Sequence, residues 1–359
     1  MAVTYGSESD SYQISFYFGH SLTKIANVYI ARHMPTRTLV ALKKYNLEKL
    51  NREEVQLVQD EIILMRQLNH PNVLPVLCSF VSGHEIVSVL PVMGYGSCAH
   101  LILRYFPAGL PEAAIAIILK AVLNALHYLH SKGIIHRAMR GSHVLVSAEG
   151  HVTLTGLRYS CPLISSGRWQ KKVHSFPSTT APNLNWLSPE LLHQNLEGYN
   201  EKCDVYSVGV TACELANGIV PYWGTPSTLM LIEKLRGIPP QLLDATTFYP
   251  NPINGQGDDC GDGEDYSHTL SKRKFSESFH SAIESCLNCC QWRPSARELL
   301  LHSFFKSAPP YSSLPALLLP AVPVLPNTLP DNQGKLIKAI LIIFVTFSFL
   351  QTSYMMKLT

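Results

Sequence analysis

Strong charge of either sign is missing from this sequence. Its 359 residues carry a net charge of only +3, spread along the chain, which gives no grip on a nucleic-acid backbone, although fifteen histidines would add to it in acid. Metal-type cysteine spacing is missing too. Of nine cysteines, Cys286, Cys289 and Cys290 form the one cluster, and their spacing suits a helix core or an idle surface better than zinc. Reduced thiols of a cytosolic or nuclear protein are the expectation. The first residues show no charged-then-apolar export signal. Length allows one two-lobed domain or two ordinary ones, with a large core.

What is present is an ordered series of short motifs. The run Gly133-Ile-Ile-His136-Arg137-Ala138-Met-Arg140-Gly-Ser-His143-Val-Leu-Val146 is followed by a turn and by His-Val-Thr-Leu-Thr-Gly156-Leu157-Arg158. In register, these resemble the His-Arg-Asp-Leu-Lys-x-x-Asn and Asp-Phe-Gly runs of protein kinases. There the first Asp positions the attacking hydroxyl, and the Asn and second Asp hold magnesium. Here those positions are Ala138, His143 and Gly156. Phosphoryl transfer asks of a protein mainly positioning and metal-borne charge neutralisation. Alanine and glycine offer no oxygen and neutral imidazole is a poor magnesium ligand, so no protein-borne metal seat is expected. The one carboxylate within the two runs, Glu149, sits in the turn and is expected to face solvent.

Upstream, residues 1–11 are polar and read as loose, and short apolar bursts from Tyr12 to Asn46 read as a strand meander. Gly19-His-Ser21-Leu-Thr-Lys24-Ile-Ala-Asn-Val28 occupies the place of the kinase phosphate loop Gly-x-Gly-x-x-Gly-x-Val. Gly19 and Val28 remain, while Ser21 and Lys24 replace glycines whose missing Cβ lets backbone amides approach phosphate. The run reads equally as a simple hairpin turn. Val40-Ala41-Leu42-Lys43 matches the third-strand Val-Ala-Ile-Lys motif. Helical spacing over Glu53–Leu68 puts Glu61 where a kinase carries the glutamate that pairs with this lysine. Ile86–Pro91 is a strand leading into a hinge, where the Pro91 carbonyl can accept from adenine and the Met93 N–H can donate. Phosphates would then rest on Lys43 and Arg140 without metal.

Downstream, Leu110–Ser131 is a long helix closed by Lys132-Gly133. The activation segment, Arg158–Glu190, ends Trp186-Leu187-Ser188-Pro189-Glu190, and Arg293 is the expected partner of Glu190. Asp204-Val205-Tyr206-Ser207-Val208-Gly209 corresponds to the helix that braces the catalytic loop. The expected architecture is an α+β bilobal kinase fold over 12–306, with an N-lobe at 12–92, a hinge at 93–97 and a C-lobe at 98–306. An insertion over about 244–274, with Asp258, Asp259, Asp262, Glu264 and Asp265, reads as a mobile acidic loop and lacks calcium-loop spacing. Residues 307–335 read as a Pro/Leu-rich linker or docking strip. Within the apolar tail 336–359, Ala339–Met356 is at the short limit for crossing a bilayer, which leaves open a membrane anchor, a docked strip or an altered C-terminus.

Residues 12–306 thus resemble the STRAD-type adaptor pseudokinases of the sterile-twenty kinase group, nearer the beta than the alpha form. The resemblance is carried by Met93–Ser97, His136–Val146, Leu154–Arg158, Trp186–Glu190 and Tyr206–Gly218. It implies a catalytically inactive fold that needs no cofactor and has room for ATP without magnesium. It also implies binding to the liver tumour-suppressor serine/threonine kinase (liver kinase B-one) through a pseudosubstrate-like face. With the helical-repeat scaffold mouse protein twenty-five, the chain would switch that client on and favour its cytoplasmic location, being itself cytoplasmic and nuclear. Two features depart from the family: the chain ends Met-Met-Lys-Leu-Thr359 instead of Trp-Glu-Phe, and the run Cys286–Arg293 is short and carries Trp292. Both a divergent member and a splice variant fit these departures. The rival classes are a weakly active, unconventional serine/threonine kinase and a membrane-tethered interaction module resting on Ala339–Met356.

Overall fold

The apolar bursts of the N-terminal third become a five-stranded antiparallel sheet in a computed structural model that describes residues 5–20, 25–177, 179–194, 197–247 and 272–324. Its strands are β1 (Tyr12–His20), β2 (Ala26–His33), β3 (Thr38–Asn46), β4 (Cys78–Ser82) and β5 (Glu85–Pro91), in the order β1-β2-β3-β5-β4. Register lays Gly19 opposite Val28, Val28 opposite Lys43, and Val40 opposite Pro91. Three candidate nucleotide residues therefore lie side by side.

Helix α1 (Arg52–Gln67) starts at a capping box, in which Asn51 accepts from the Glu54 N–H and Glu54 accepts from the Asn51 N–H. Val58, Glu61, Ile62 and Met65 form its buried stripe at helical spacing. The periodicity that lays Val58 and Ile62 against Tyr45 and Ile86 also turns Glu61 inward.

The chain enters the second lobe through the short strand β6 (Gly96–Ser97), where the Tyr95 N–H donates to the Val146 carbonyl and Ser97 caps α2 (Cys98–Tyr105). Helix α3 (Glu112–Ser131) is apolar on most faces and forms the middle of the C-lobe core. Among the described residues it is the one helix long and apolar enough to cross a membrane, and it is mostly buried inside the protein. After it come β7 (Ile134–Ile135), β8 (Val144–Val146) and β9 (Val152–Leu154), which frame the catalytic-loop equivalent. Helices α4 (Pro189–His193), α5 (Lys202–Asn217) and α6 (Ser227–Leu235) follow the activation segment. The fold is the α+β bilobal kinase fold.

Three boundaries differ from the sequence expectation. Residues 5–11 are not loose: the Tyr12 hydroxyl donates to the Gly6 carbonyl, the Met34 N–H donates to the Ser11 carbonyl, and Tyr5 packs against the core of the sheet. The acidic insertion starts later than residue 244, because Asp244 is fully buried and accepts from the Phe275 N–H, the Thr246 N–H and His280. The linker also starts later. Leu314 and Leu318 are fully buried, Tyr311 stacks on His151 with ring centroids 4.2 Å apart, and a Cβ on Gly150 would come within 2.5 Å of the Tyr311 carbonyl oxygen. Proline and leucine that promise little helix here fill a seat on the C-lobe, and the compact unit runs to Pro323. Ser21, Lys24, the acidic residues Asp258–Asp265 and the tail Ala339–Met356 lie outside the described residues.

Candidate functional site

The catalytic-loop equivalent is tied down from below by one side chain. Asp204, fully buried near the start of α5, accepts from the backbone N–H groups of His136 and Arg137 at 2.8 Å each and from the His130 ring at 2.8 Å. Burial by itself would push its carboxyl up, but the hydrogen bonds and nearby rings of His130 and His136 outweigh that and hold it below the usual carboxylate range. The brace therefore stays ionised.

Arg137 has left-handed backbone, φ +59°, and its guanidinium gathers both limbs of the activation segment. Nε donates to the Tyr159 carbonyl at 2.5 Å, Nη2 to the Ser160 carbonyl at 3.2 Å, and Nη1 to the Ser175 carbonyl at 3.2 Å and the Tyr199 hydroxyl at 3.0 Å. This clamp needs no phosphate. Further along the segment, buried Lys234 of α6 donates to the carbonyls of Leu184, Asn185 and Leu187 at 3.3, 2.7 and 2.7 Å. Glu214 of α5 accepts from the Trp186 indole at 2.8 Å and the Gly141 N–H at 3.0 Å. Arg293, with 1% of its side chain exposed, closes the segment by a bidentate pair with Glu190, at 2.5 and 3.3 Å.

The upper side of the same loop has no such ligands to offer. Ala138 is buried and presents a methyl group. His143 lies over Gly156: its Nδ1 is 2.6 Å from the Ala138 carbonyl, which fixes the proton there, and Nε2 receives an N–H of Arg140 at 3.4 Å. Burial first, and the Arg140 charge next, push the His143 ring well below the ordinary histidine range, so it is neutral. Gly156 is left-handed, φ +90°, and a Cβ there would come within 2.5 Å of His143 Nδ1. The imidazole thus fills the space that a side chain at 156 would enter. Glu149 is exposed in its turn and bonds Ser147.

In the N-lobe the expected lysine–glutamate pair is not the one formed. Glu61, 3% exposed, is instead paired with Arg158, whose Nε lies 3.6 Å from Oε2. Lys43 sits with its ammonium 5.1 Å from the centre of the Tyr45 ring, and Arg158 lies over the same ring at 5.6 Å. Burial works against the Lys43 charge, but the Glu61 carboxylate and Tyr45 more than offset it and raise its pKa. Glu61 is thus shared, in contact with Arg158 and through the field with Lys43. The physical reason is length: position 158 carries a guanidinium where the resembling motif has glycine, and it reaches α1 first.

Arg140 also departs from its expected role. It is buried, bonded to the Pro182 carbonyl, and stacked over Trp186 at 5.6 Å, so it serves the activation segment instead of a phosphate. Burial lowers its pKa to about 10, partly countered by Glu214. Ala41 is buried between Ile30 and Leu90 in the sheet. At the hinge, the Met93 carbonyl accepts from the Gly96 N–H at 2.8 Å and its sulfur from Thr153 at 3.9 Å. Sequence reasoning missed Arg158, Arg137 and Lys234 as tethers. A large cation in place of a glycine was the available signal for the first; for Lys234, inside an apolar helix, there was none.

The comparisons with known proteins agree with this geometry. The protein kinase domain model matches residues 23–305. The chain is 41% identical over 337 residues to human STE20-related kinase adapter protein alpha, spanning 88% of this chain and 78% of that protein. It is 39% identical over 350 residues to human STE20-related kinase adapter protein beta, spanning 89% and 83%. The mouse beta protein is 40% identical, over 82% of this chain and 75% of that protein. These identities do not separate the two forms, so the expected closeness to beta does not appear in them. The chain belongs to the STE20-related kinase adapter family of the protein kinase fold.

Proposed function

We propose that the chain is a catalytically silent adaptor. It binds the serine/threonine kinase liver kinase B-one through its activation-segment face, in the manner of a pseudosubstrate. With the scaffold mouse protein twenty-five it switches that client on and holds it in the cytoplasm, while the adaptor itself partitions between cytoplasm and nucleus. One observation carries the reading: the loop 136–143 keeps its brace on Asp204 but has no carboxylate at 138 and no metal-binding oxygen at 143, and Gly156 beside it offers none either. A partner that binds only the active shape of a kinase shifts its population by differential affinity, and about 5.5 kcal/mol moves 1:99 to 99:1. A segment already clamped by Arg137, Lys234 and Arg293 brings less ordering cost to that encounter.

Magnesium does not fit this cleft, since the ring of His143 covers Gly156 and its two nitrogens are engaged by Ala138 and Arg140. Adenine fits better. Among the described residues no hydrogen bond uses the Met93 N–H, which leaves it for a purine, and Lys43 keeps its charge for phosphate. ATP without metal is therefore a ligand the cleft can take, with a structural role.

The test is reconstitution of the client kinase with the full chain and the scaffold, followed by peptide phosphorylation. Client activity should rise, while the chain alone should transfer no phosphate. Arg137→Ala, which frees the activation segment, should reduce the rise. A client equally active with and without the chain would refute the adaptor role.

A further inference from the structure

The even overall charge conceals a local exception. Between Glu149 and Glu190 there is no acidic residue, while Arg158, Arg168, Lys171 and Lys172 fall in the same stretch. Arg158 is spent on Glu61. The other three are exposed, and no ion pair joins them to the described residues. They stand on hydrogen-bonded backbone. Ile164–Ser165 pairs with Arg168–Trp169 in a tight hairpin, the Leu163 N–H donates to the Gly133 carbonyl at 2.6 Å, and Val173 and Tyr199 exchange two hydrogen bonds of 2.8 and 3.0 Å. Trp169, 54% exposed, lies on Gly133, so close that a Cβ there would be 3.2 Å from the indole. Directly after the lysines, a cavity of about 260 Å³ opens, lined by His174, Phe176, Glu190, Leu191 and Tyr199. Its one carboxylate, Glu190, is already neutralised by Arg293.

Cations on a hydrogen-bonded hairpin and the segment after it, running into a partly apolar cavity, define a partner by complementarity. We propose that the face from Arg168 to Phe176 is a docking site for an acidic peptide segment that carries a bulky apolar side chain. Its carboxylates lie along Arg168, Lys171 and Lys172, and its apolar side chain enters the cavity beside His174 and Phe176. The proposal stands whether or not the client is the one named above.

The experiment is fluorescence anisotropy of the full chain with a labelled nine-residue peptide, eight glutamates around a central leucine. Saturable binding that weakens with salt is expected, with affinity reduced about tenfold or more in Lys171→Glu/Lys172→Glu. Both substitutions are on exposed side chains, so the thermal midpoint should not move. An all-glutamate peptide should bind several-fold more weakly. Absence of saturable binding, equal affinity for the charge-reversed variant, or equal affinity for the all-glutamate peptide would each overturn the proposal. So would a gain in peptide affinity on neutralising Asp258, Asp259 and Asp262, which would assign the face to the chain's own loop. Failure to bind the peptide, with charge-dependent sedimentation on phosphatidylserine vesicles, would assign it to a membrane surface instead.

Discussion

On the lower side of loop 136–143, two backbone N–H groups and the ring of His130 converge on buried Asp204; on the upper side, a methyl group, a neutral imidazole and a glycine meet where a kinase keeps oxygen ligands. Shape and chemistry at this loop are therefore requirements that fall on different residues. The tethers of the activation segment belong with the lower side, since Arg137, Lys234 and Arg293 act on backbone carbonyls, the Tyr199 hydroxyl and a structural carboxylate.

Substitutions on the lower side should cost the most stability. Asp204→Ala leaves two buried N–H groups and a histidine without their acceptor, and it should cost about 3–5 kcal/mol of stability in denaturant unfolding. The upper side should show interlocking instead. Gly156→Ala combines positive φ with a clash on His143, a cost of about 2–4 kcal/mol, and much of it should return in the double variant Gly156→Ala/His143→Ala. Additive costs in that cycle would mean the ring does not fill the space at 156. At the N-lobe edge, Arg158→Ala strands buried Glu61 and should cost about 1–3 kcal/mol, with Glu61→Gln relieving part of it.

The smallest effect is in pH. In the folded protein His143 resists protonation because of burial first and Arg140 second, whereas the unfolded ring takes a proton near 6.5. His136 is lowered too, by burial, against the pull of Asp204. Since the unfolded state binds more protons below that pH, the stability is fully present above it and falls as pH drops, by about 1.4 kcal/mol per pH unit for each ring. His143→Gln should make the acid limb of the stability profile shallower by one ring. An unchanged slope would show that His143 takes up a proton without unfolding.

Much of this was legible in the chain before its folding was known. Strand alternation from Tyr12 to Asn46 and the helical stripe through Glu61 define the small lobe, and motifs in fixed order bring Asp204 under His136 and Arg293 to Glu190. Fold class follows from such local patterns. What escaped depends on contacts between distant segments. Composition at 307–323 shows leucine and proline, but not the seat for Tyr311 on His151 or for Leu314 in the core. Motif register placed Glu61 with Lys43, but not the longer reach of Arg158 from a position expected to hold glycine. Arg140 was assigned by the same register to phosphate, and it turned instead to Pro182 and Trp186 because a buried guanidinium takes the nearest carbonyl and aromatic face.

The most direct test of the central claim is thermal unfolding of the full chain with ATP, once in magnesium and once in EDTA, because a ligand held by the folded state raises the midpoint by mass action. With His143 seated over Gly156, the same midpoint is predicted in both. A rise that requires magnesium would contradict the account, since it would mean that the cleft rearranges to seat a metal after all.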